Sequence, residues 1–280
     1  MKVAIITGAD GGMGKVLTSA LAKKEFKVIM ACKNKQEGDA VCQQIREQTG
    51  NTDIEVLEID LASLDSIDKF VKEVHKKYSQ VDILLNNAGV LPHRYQTTKE
   101  NVEYTIAVNY LGHYILTEQL FPLMVEGTKI INTVSLMLRY GKITPDFLSS
   151  QSPHFNRFTY YSHSKLALYY ATLEWSEKWK EKGILVNCVD PGIVNTNIIR
   201  MDNKLIDKLC DVFYRPIIRT PQQGADTVLY LAMEGKNNHI TGKLFKSRKI
   251  KQIPTSVNND VWKELLKKQT KDFMDKYVQP

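Results

Sequence analysis

Cysteine is scarce in this chain, and the four residues present, Cys32, Cys42, Cys188 and Cys210, form no C-x-x-C pair and no metal-ligand spacing. That excludes a disulfide framework and a cysteine-held metal site. The N-terminus runs straight into "VAIITGA" with no cleavable leader, so reduced thiols in a cytoplasmic protein are expected. Long apolar runs are also lacking. None approaches the roughly 20 residues that a membrane-spanning helix needs, so no integral membrane segment is expected. Charge of one sign is nowhere concentrated: the net charge is +7 with a pI near 9.0, but acidic residues interleave with the lysines along the whole chain. This pattern is a solubility charge, and no nucleic-acid partner is expected. The densest basic run, Lys246, Arg248, Lys249 and Lys251, reads as a solvated strand edge or loop. Internal repeats, low-complexity tracts and Pro/Gly/Ser linkers are absent as well. One domain spanning 1–280 follows.

What is present is an alternation. Short β-branched runs, "KVAIITG", "KVIMAC", "IEVLEID" and "VDILLNNAG", are separated by helical patterns from about Lys15, from about Lys35 to Gln48, and from about Leu64. "TKIINTVS", "GILVNCVDPG" and "GKLF" supply further strands. Strands spaced by helices of this length build right-handed βαβ units, so the fold class is α/β, a doubly wound parallel sheet of the Rossmann type. Two segments depart from the alternation. Residues 136–159 read as a long irregular connection. Residues 193–219 hold an amphipathic helix, with Leu205, Ile206, Leu209, Val212 and Phe213 on one face, expected to form a lid over an apolar substrate. A C-terminal helix carrying Val261, Trp262, Leu265, Leu266 and Phe273 is expected to pack against the body.

Between the first strand and first helix stands "TGADGGMG", from Thr7 through Gly8, Asp10, Gly11, Gly12 and Met13 to Gly14. Glycines there admit a pyrophosphate to the backbone and to the helix N-terminus, although the literal G-x-G-x-x-G spacing is not met and a tight turn alone would also use glycine. At the end of the second strand, where an acidic residue would read a ribose 2′-hydroxyl, the chain has Cys32 followed by Lys33. Lys33 points to NADP(H) over NAD(H), the alternative being a solvated surface lysine.

The six residues "YYSHSK", 160–165, admit several chemistries. S-x-x-K is present, but its S-D-N and K-T-G companions are missing, and so is the G-x-S-x-G elbow of a serine hydrolase. A Tyr/Lys pair remains. On a helix Tyr161 and Lys165 are i and i+4, whereas Tyr160 is turned away by about 140°. An ammonium beside Tyr161 would lower a phenol pKa that starts near 10. His113 and His163 are assigned to packing, since no metal or triad partner accompanies them.

Taken together, "TGADGGMG", Asp60, "NNAG" at 86–89, Asn109 in "VNYLGHYILT", Ser135 ending "IINTVS", "YSHSK" and "DPGIVNT" resemble the short-chain dehydrogenase/reductase family in order and spacing, from about Val3 to Lys249. "LGHY", "HSKLA", "RTPQQGA" and "TGKLF" are similar to its branch of retinol dehydrogenases and related carbonyl reductases. The resemblance implies that Tyr161 is the general acid/base and that Lys165 tunes it and binds the nicotinamide ribose. Ser135 would bind the substrate oxygen, and Asn109 would anchor a relay water. It also implies that Asn87, Ala88 and Gly89 line the adenosine side, Asp60 and Leu61 the adenine, and Pro191, Gly192, Ile193 and Thr196 the nicotinamide. Val134 and Lys33 depart from the usual serine and arginine. The implied activity is NADP(H)-dependent hydride transfer to or from an apolar carbonyl or alcohol, with no metal and with a homodimer left open. The alternative is a catalytically silent nucleotide sensor or scaffold on the same fold.

Overall fold

A computed structural model describes residues 1–149, 155–194, 218–234 and 239–278. Strand β1 (Val3–Thr7) is buried at every position because both faces of the sheet are covered. Val3 and Ile5 join one apolar cluster while Ala4 and Ile6 join the other, as the two-residue period of a strand requires. Its neighbours are β2 (Lys27–Cys32) on one side and β4 (Val81–Asn86) on the other, with Ile5 opposite both Ile29 and Leu84. β3 (Ile54–Glu58), β5 (Met124–Thr133), β6 (Leu185–Val189) and β7 (Leu244–Lys246) continue the parallel sheet, and β8 (Lys249–Ile250) closes it antiparallel. Among the described residues the order is β3-β2-β1-β4-β5-β6-β7-β8. The order in which strands are added reverses between β1 and β4, so a crevice opens at the carboxyl ends of those two parallel strands.

Helices α1 (Gly12–Ala22) and α2 (Lys35–Thr49) cover one face. α3 (Leu64–Lys77) and a broken helix, α4 (Tyr104–Ile106), a π turn (Ala107–Leu111) and α5 (Gly112–Leu120), cover the other with α6 (Arg157–Lys178). α7 (Pro221–Met233) lies on the α1 face, where Ala225, Val228 and Leu231 are buried, and starts in a capping box of Thr220 and Gln223. The C-terminal α8 (Asp260–Tyr277) packs on the α5/α6 face through Leu266 and Phe273, with Tyr110 and Thr270 hydroxyls 2.6 Å apart. Val261, expected on the packed side, is 75% exposed. None of the described helices is long and apolar enough to cross a membrane.

Two boundaries differ from expectation for local reasons. α1 begins at Gly12 rather than near Lys15, because Gly11 adopts the extended N-cap conformation and the glycine cluster is itself the first helical turn. Part of the connection at 136–159 is regular. Leu136–Tyr140 forms a 3-10 turn capped by the Ser135 hydroxyl, and α6 starts at Arg157 because the Asn156 side chain accepts from Phe158 N and Thr159 N. The basic run lies on the β7–β8 edge, where Lys246 pairs with Asp190 at 2.8 Å and Arg248 pairs with Asp226. The amphipathic lid segment lies, apart from its first and last two residues, outside the described residues, as do Thr196 and Cys210.

The broken helix can reach the end of β3 only through Gly112: a Cβ there would stand 2.2 Å from the Leu61 carbonyl oxygen. Gly112→Ala is therefore expected to destabilise by about 1–3 kcal/mol, the usual cost of overpacking, as measured by denaturant unfolding. An unchanged midpoint would mean that this approach is not tight in solution.

Candidate active site

A cleft of about 520 Å³ occupies the crevice above β1 and β4. Its floor at one end is the turn from Thr7 into α1. Gly8 has φ +61°, a conformation glycine adopts without strain, and a Cβ on Gly14 would lie 2.1 Å from the Gly8 carbonyl oxygen. No side chain caps α1 and its first turn holds no acidic residue, so the backbone N–H groups at the positive end of the helix face the cleft. Gly8, Asp10, Gly11, Gly12, Met13 and Gly14 all line the cleft. Thr7 lies beneath it: its Oγ1 accepts from Asn87 N at 2.9 Å and Ala88 N at 3.0 Å, which fixes the "NNAG" turn. Asn87 Nδ2 donates to the Thr7 carbonyl, while its buried Oδ1 has no partner among the described residues. A phosphate cradle that a Cβ would fill, beside an unsatisfied amide oxygen, fits a dinucleotide.

The end expected to hold adenosine is bounded by Lys33, Asp60, Leu61 and Ala88, together with Tyr104, which carried no sequence signal. Cys32 does not face this cleft. It is buried in the α1/α2 cluster, its thiol pushed up to about 12 by burial and then by Asp10. Lys33 Nζ is 2.8 Å from Asp60 Oδ2 and donates to Tyr104 Oη at 3.0 Å.

At the other end Ser135, Tyr161 and Lys165 converge with Gly89, Pro191, Gly192 and Ile193. Ser135 ends the segment after β5. Its Oγ accepts from Met137 N, which leaves its proton to donate, and it makes a hydrogen bond to Tyr161 that favours the phenolate. Lys165 Nζ is 5.6 Å from the Tyr161 ring centroid, one helical turn along α6. Tyr160 turns away into a ring cluster with Tyr95, Phe155 and His163.

The electrostatics differ from the expectation drawn from i, i+4 geometry. The Tyr161 phenol is pushed up to about 12, first by burial and then by the Asp190 carboxylate, against the Ser135 hydrogen bond. Lys165 is itself 2% exposed, donates to the Thr133 carbonyl at 2.8 Å, and is brought down to about 7 by burial. The burial that raises the phenol thus also disfavours the ammonium beside it.

Asn109 sits in the π turn, fully buried. Its side chain is committed to protein: Oδ1 accepts from Val90 N, and Nδ2 donates to Val90 O and Ser164 Oγ. Any relay water would therefore have to use its backbone carbonyl, which has His113 Nδ1 3.4 Å away. His113 is buried and held neutral, brought down to about 3 by burial and then by Lys165. His163 accepts from Lys142 N, in keeping with a packing role. No metal-binding group of His, Cys, Asp or Glu occurs among the described residues. Leu91, Val108, Met137, Phe158 and Val194, apolar wall residues without a motif to mark them, also line the cleft.

Residues 2–205 match the family model described as short chain dehydrogenase. Retinol dehydrogenase 11 of Mus musculus is 32% identical over 262 residues, 93% of this chain and 82% of that protein. Retinol dehydrogenase 13 of Homo sapiens is 32% identical over 271 residues, 94% of this chain and 82% of that one. Among solved structures, a short chain dehydrogenase of Shigella flexneri 2a complexed with NADP is similar with a TM-score of 0.67 at 19% identity, covering 89% of this chain and 97% of that one; it shares the fold. Matched over most of its length at these identities, the chain belongs to the short-chain dehydrogenase family and is retinol dehydrogenase-like within it.

Proposed function

We propose that the protein is an NADP(H)-dependent oxidoreductase that moves hydride between a nicotinamide and an apolar carbonyl or alcohol substrate. The observation that carries this reading is the convergence of Ser135, Tyr161 and Lys165 at one end of a cleft whose other end is the Gly8–Gly14 cradle. The family uses nicotinamide cofactors, and the Shigella relative in fold is an NADP complex. When bound, the nicotinamide supplies or accepts the hydride. The backbone N–H groups at the start of α1 hold its phosphates, and Lys33 attracts the 2′-phosphate. Tyr161 delivers or takes the proton at the substrate oxygen, and Ser135 donates a hydrogen bond that orients that oxygen. Buried Lys165 stays close enough to stabilise the phenolate as the proton leaves, and Asn109 ties α6 to the Val90 turn. Leu91, Met137, Phe158, Ile193 and Val194 make the substrate end apolar, with Phe158 47% and Ile193 51% exposed at its mouth. The direct test is NADPH consumption across a panel of apolar aldehydes and ketones against hydroxylated sugars. Turnover of the apolar set alone is expected, and binding of cofactor without any turnover would favour a silent sensor.

Tyr161→Phe should lower kcat by at least about 10²-fold with cofactor affinity nearly unchanged, the lower bound for a general acid/base, while Tyr160→Phe should do far less. Near-normal turnover of the Tyr161 variant would overturn the assignment. Lys33→Asp should abolish or reverse the preference for NADPH over NADH in binding titrations. Equal wild-type affinity for both would reduce Lys33 to a surface charge.

The buried lysine makes a pH prediction that needs no substrate. Between pH 7 and 10 the unfolded chain binds a proton at Lys165 that the folded chain does not, so Lys165 makes stability rise with pH by up to about 1.4 kcal/mol per unit. Below pH 7 both states are protonated and the cost of the buried charge is largest. Lys165→Met should therefore be more stable than wild type near pH 6, with the gain shrinking toward pH 10 in urea titrations. A constant difference across that range would show that Lys165 is not desolvated as described.

A further inference from the structure

Lys33 is not a free cation. Its ammonium lies between Asp60 at the end of β3, 2.8 Å from Oδ2, and Tyr104 at the start of α4, 3.0 Å from Oη, and all three line the adenosine end of the cleft. The pair is accessible, with 61% of the Lys33 side chain and 32% of that of Asp60 exposed, so an incoming anion can reach it. Desolvation pulls the Lys33 ammonium down, but its contacts with Asp60 and Tyr104 hold it above its ordinary value. The two partners differ in chemistry. Asp60 is an anion that competes for Lys33 and repels a phosphate, and its Oδ1 is already used to accept from Ala62 N. Tyr104 only accepts from Lys33, and among the described residues its hydroxyl proton has no acceptor. The oxygen that carries that proton is 3.0 Å from the ammonium, so the proton can reach the oxygens of an anion paired with Lys33. Glu103 fixes the start of α4 below it, accepting from Ile106 N and Thr105 Oγ1, so Tyr104 is presented from an anchored turn.

We propose that Asp60 and Tyr104 set cofactor specificity in opposite senses through Lys33: Asp60 withholds the ammonium from the 2′-phosphate, and Tyr104 donates its hydroxyl to that phosphate beside Lys33. This rests on the reading of Lys33 as the 2′-phosphate cation. Selection for NADP(H) is accordingly weaker than an unpaired lysine would give, and Asp60 is the residue that limits it.

The test uses the full chain and two substitutions that keep local geometry. Asp60→Asn retains the acceptor for Ala62 N, and Tyr104→Phe retains the ring. Wild type and both variants are titrated with NADPH and NADH by fluorescence, and with adenosine 2′,5′-bisphosphate and AMP by calorimetry, so the readout is binding rather than turnover. Asp60→Asn should raise the ratio of affinity for the 2′-phosphorylated over the plain ligand by about two- to fivefold, the worth of an exposed ion pair. Tyr104→Phe should lower it by about three- to tenfold, the worth of one hydrogen bond. A structural defect would move both ligands together and leave the ratio alone. If wild type prefers NADPH but the variants leave the ratio unchanged or shift it in the same direction, the inference fails and the reading of Lys33 stands. If wild type has no preference but Asp60→Asn creates one, the reading of the native enzyme fails and the restraint of Lys33 by Asp60 stands. If neither wild type nor Asp60→Asn discriminates, both fall.

Discussion

The hydroxyl of Thr7 joins the three segments on which the cleft depends. It ends β1, accepts from the backbone N–H groups of Asn87 and Ala88 beyond β4, and meets His113 Nε2 on α5 at 3.0 Å. One small polar atom at the switch point therefore fixes the glycine turn, the "NNAG" turn and the broken helix relative to one another. Because His113 is buried and neutral, its Nε2 can accept a hydrogen bond from the Thr7 hydroxyl while its Nδ1–H is offered to the Asn109 carbonyl, which links the glycine turn to the π turn through a single ring. The tight backbone approaches around this point, Gly8 against Ala88 and Gly112 against the Leu61 carbonyl, are steric consequences of the same convergence.

The end of the cleft that holds Ser135, Tyr161 and Lys165 is arranged around burial rather than around a simple ion pair. Taking Lys165 out of water lowers its pKa, and taking Tyr161 out of water raises the phenol, so two groups that ordinarily titrate close together are driven apart. Asp190 adds to the upward pressure on Tyr161, but Lys246, 2.8 Å from Asp190 Oδ2, shares that carboxylate. Its other oxygen accepts from Gly192 N. The basic run that reads as plain surface charge thus contributes one lysine to holding the turn that carries Pro191, Gly192 and Ile193 into the cleft.

Local order was legible where chemistry and period coincide. Tyr161 and Lys165 declare themselves because both lie on one helix, where i, i+4 neighbours share a face, and the glycine cluster declares itself because it follows an apolar strand and starts a helix. The start of α1 was misread by three residues, since glycines that look like a loop are there the first turn of the helix. The start of α6 was masked by the irregular composition before Arg157 and became visible only through the Asn156 cap.

The sequence by itself determined the doubly wound sheet, through periodicity, and the placing of Tyr161 and Lys165 on one helix face, through i, i+4 spacing; the order of the site motifs carried the resemblance to the family. Only the tertiary structure decided that Lys33 is held by Asp60 and Tyr104, which are 27 and 71 positions away in the chain, and that Cys32 points into the core instead of toward the ribose. It alone decided that Lys165 is desolvated and that the Asn109 side chain is spent on Val90 and Ser164. The reason is physical: a charge's strength depends on the water and partners around it, and those are set by the three-dimensional packing of distant segments, which no local pattern encodes.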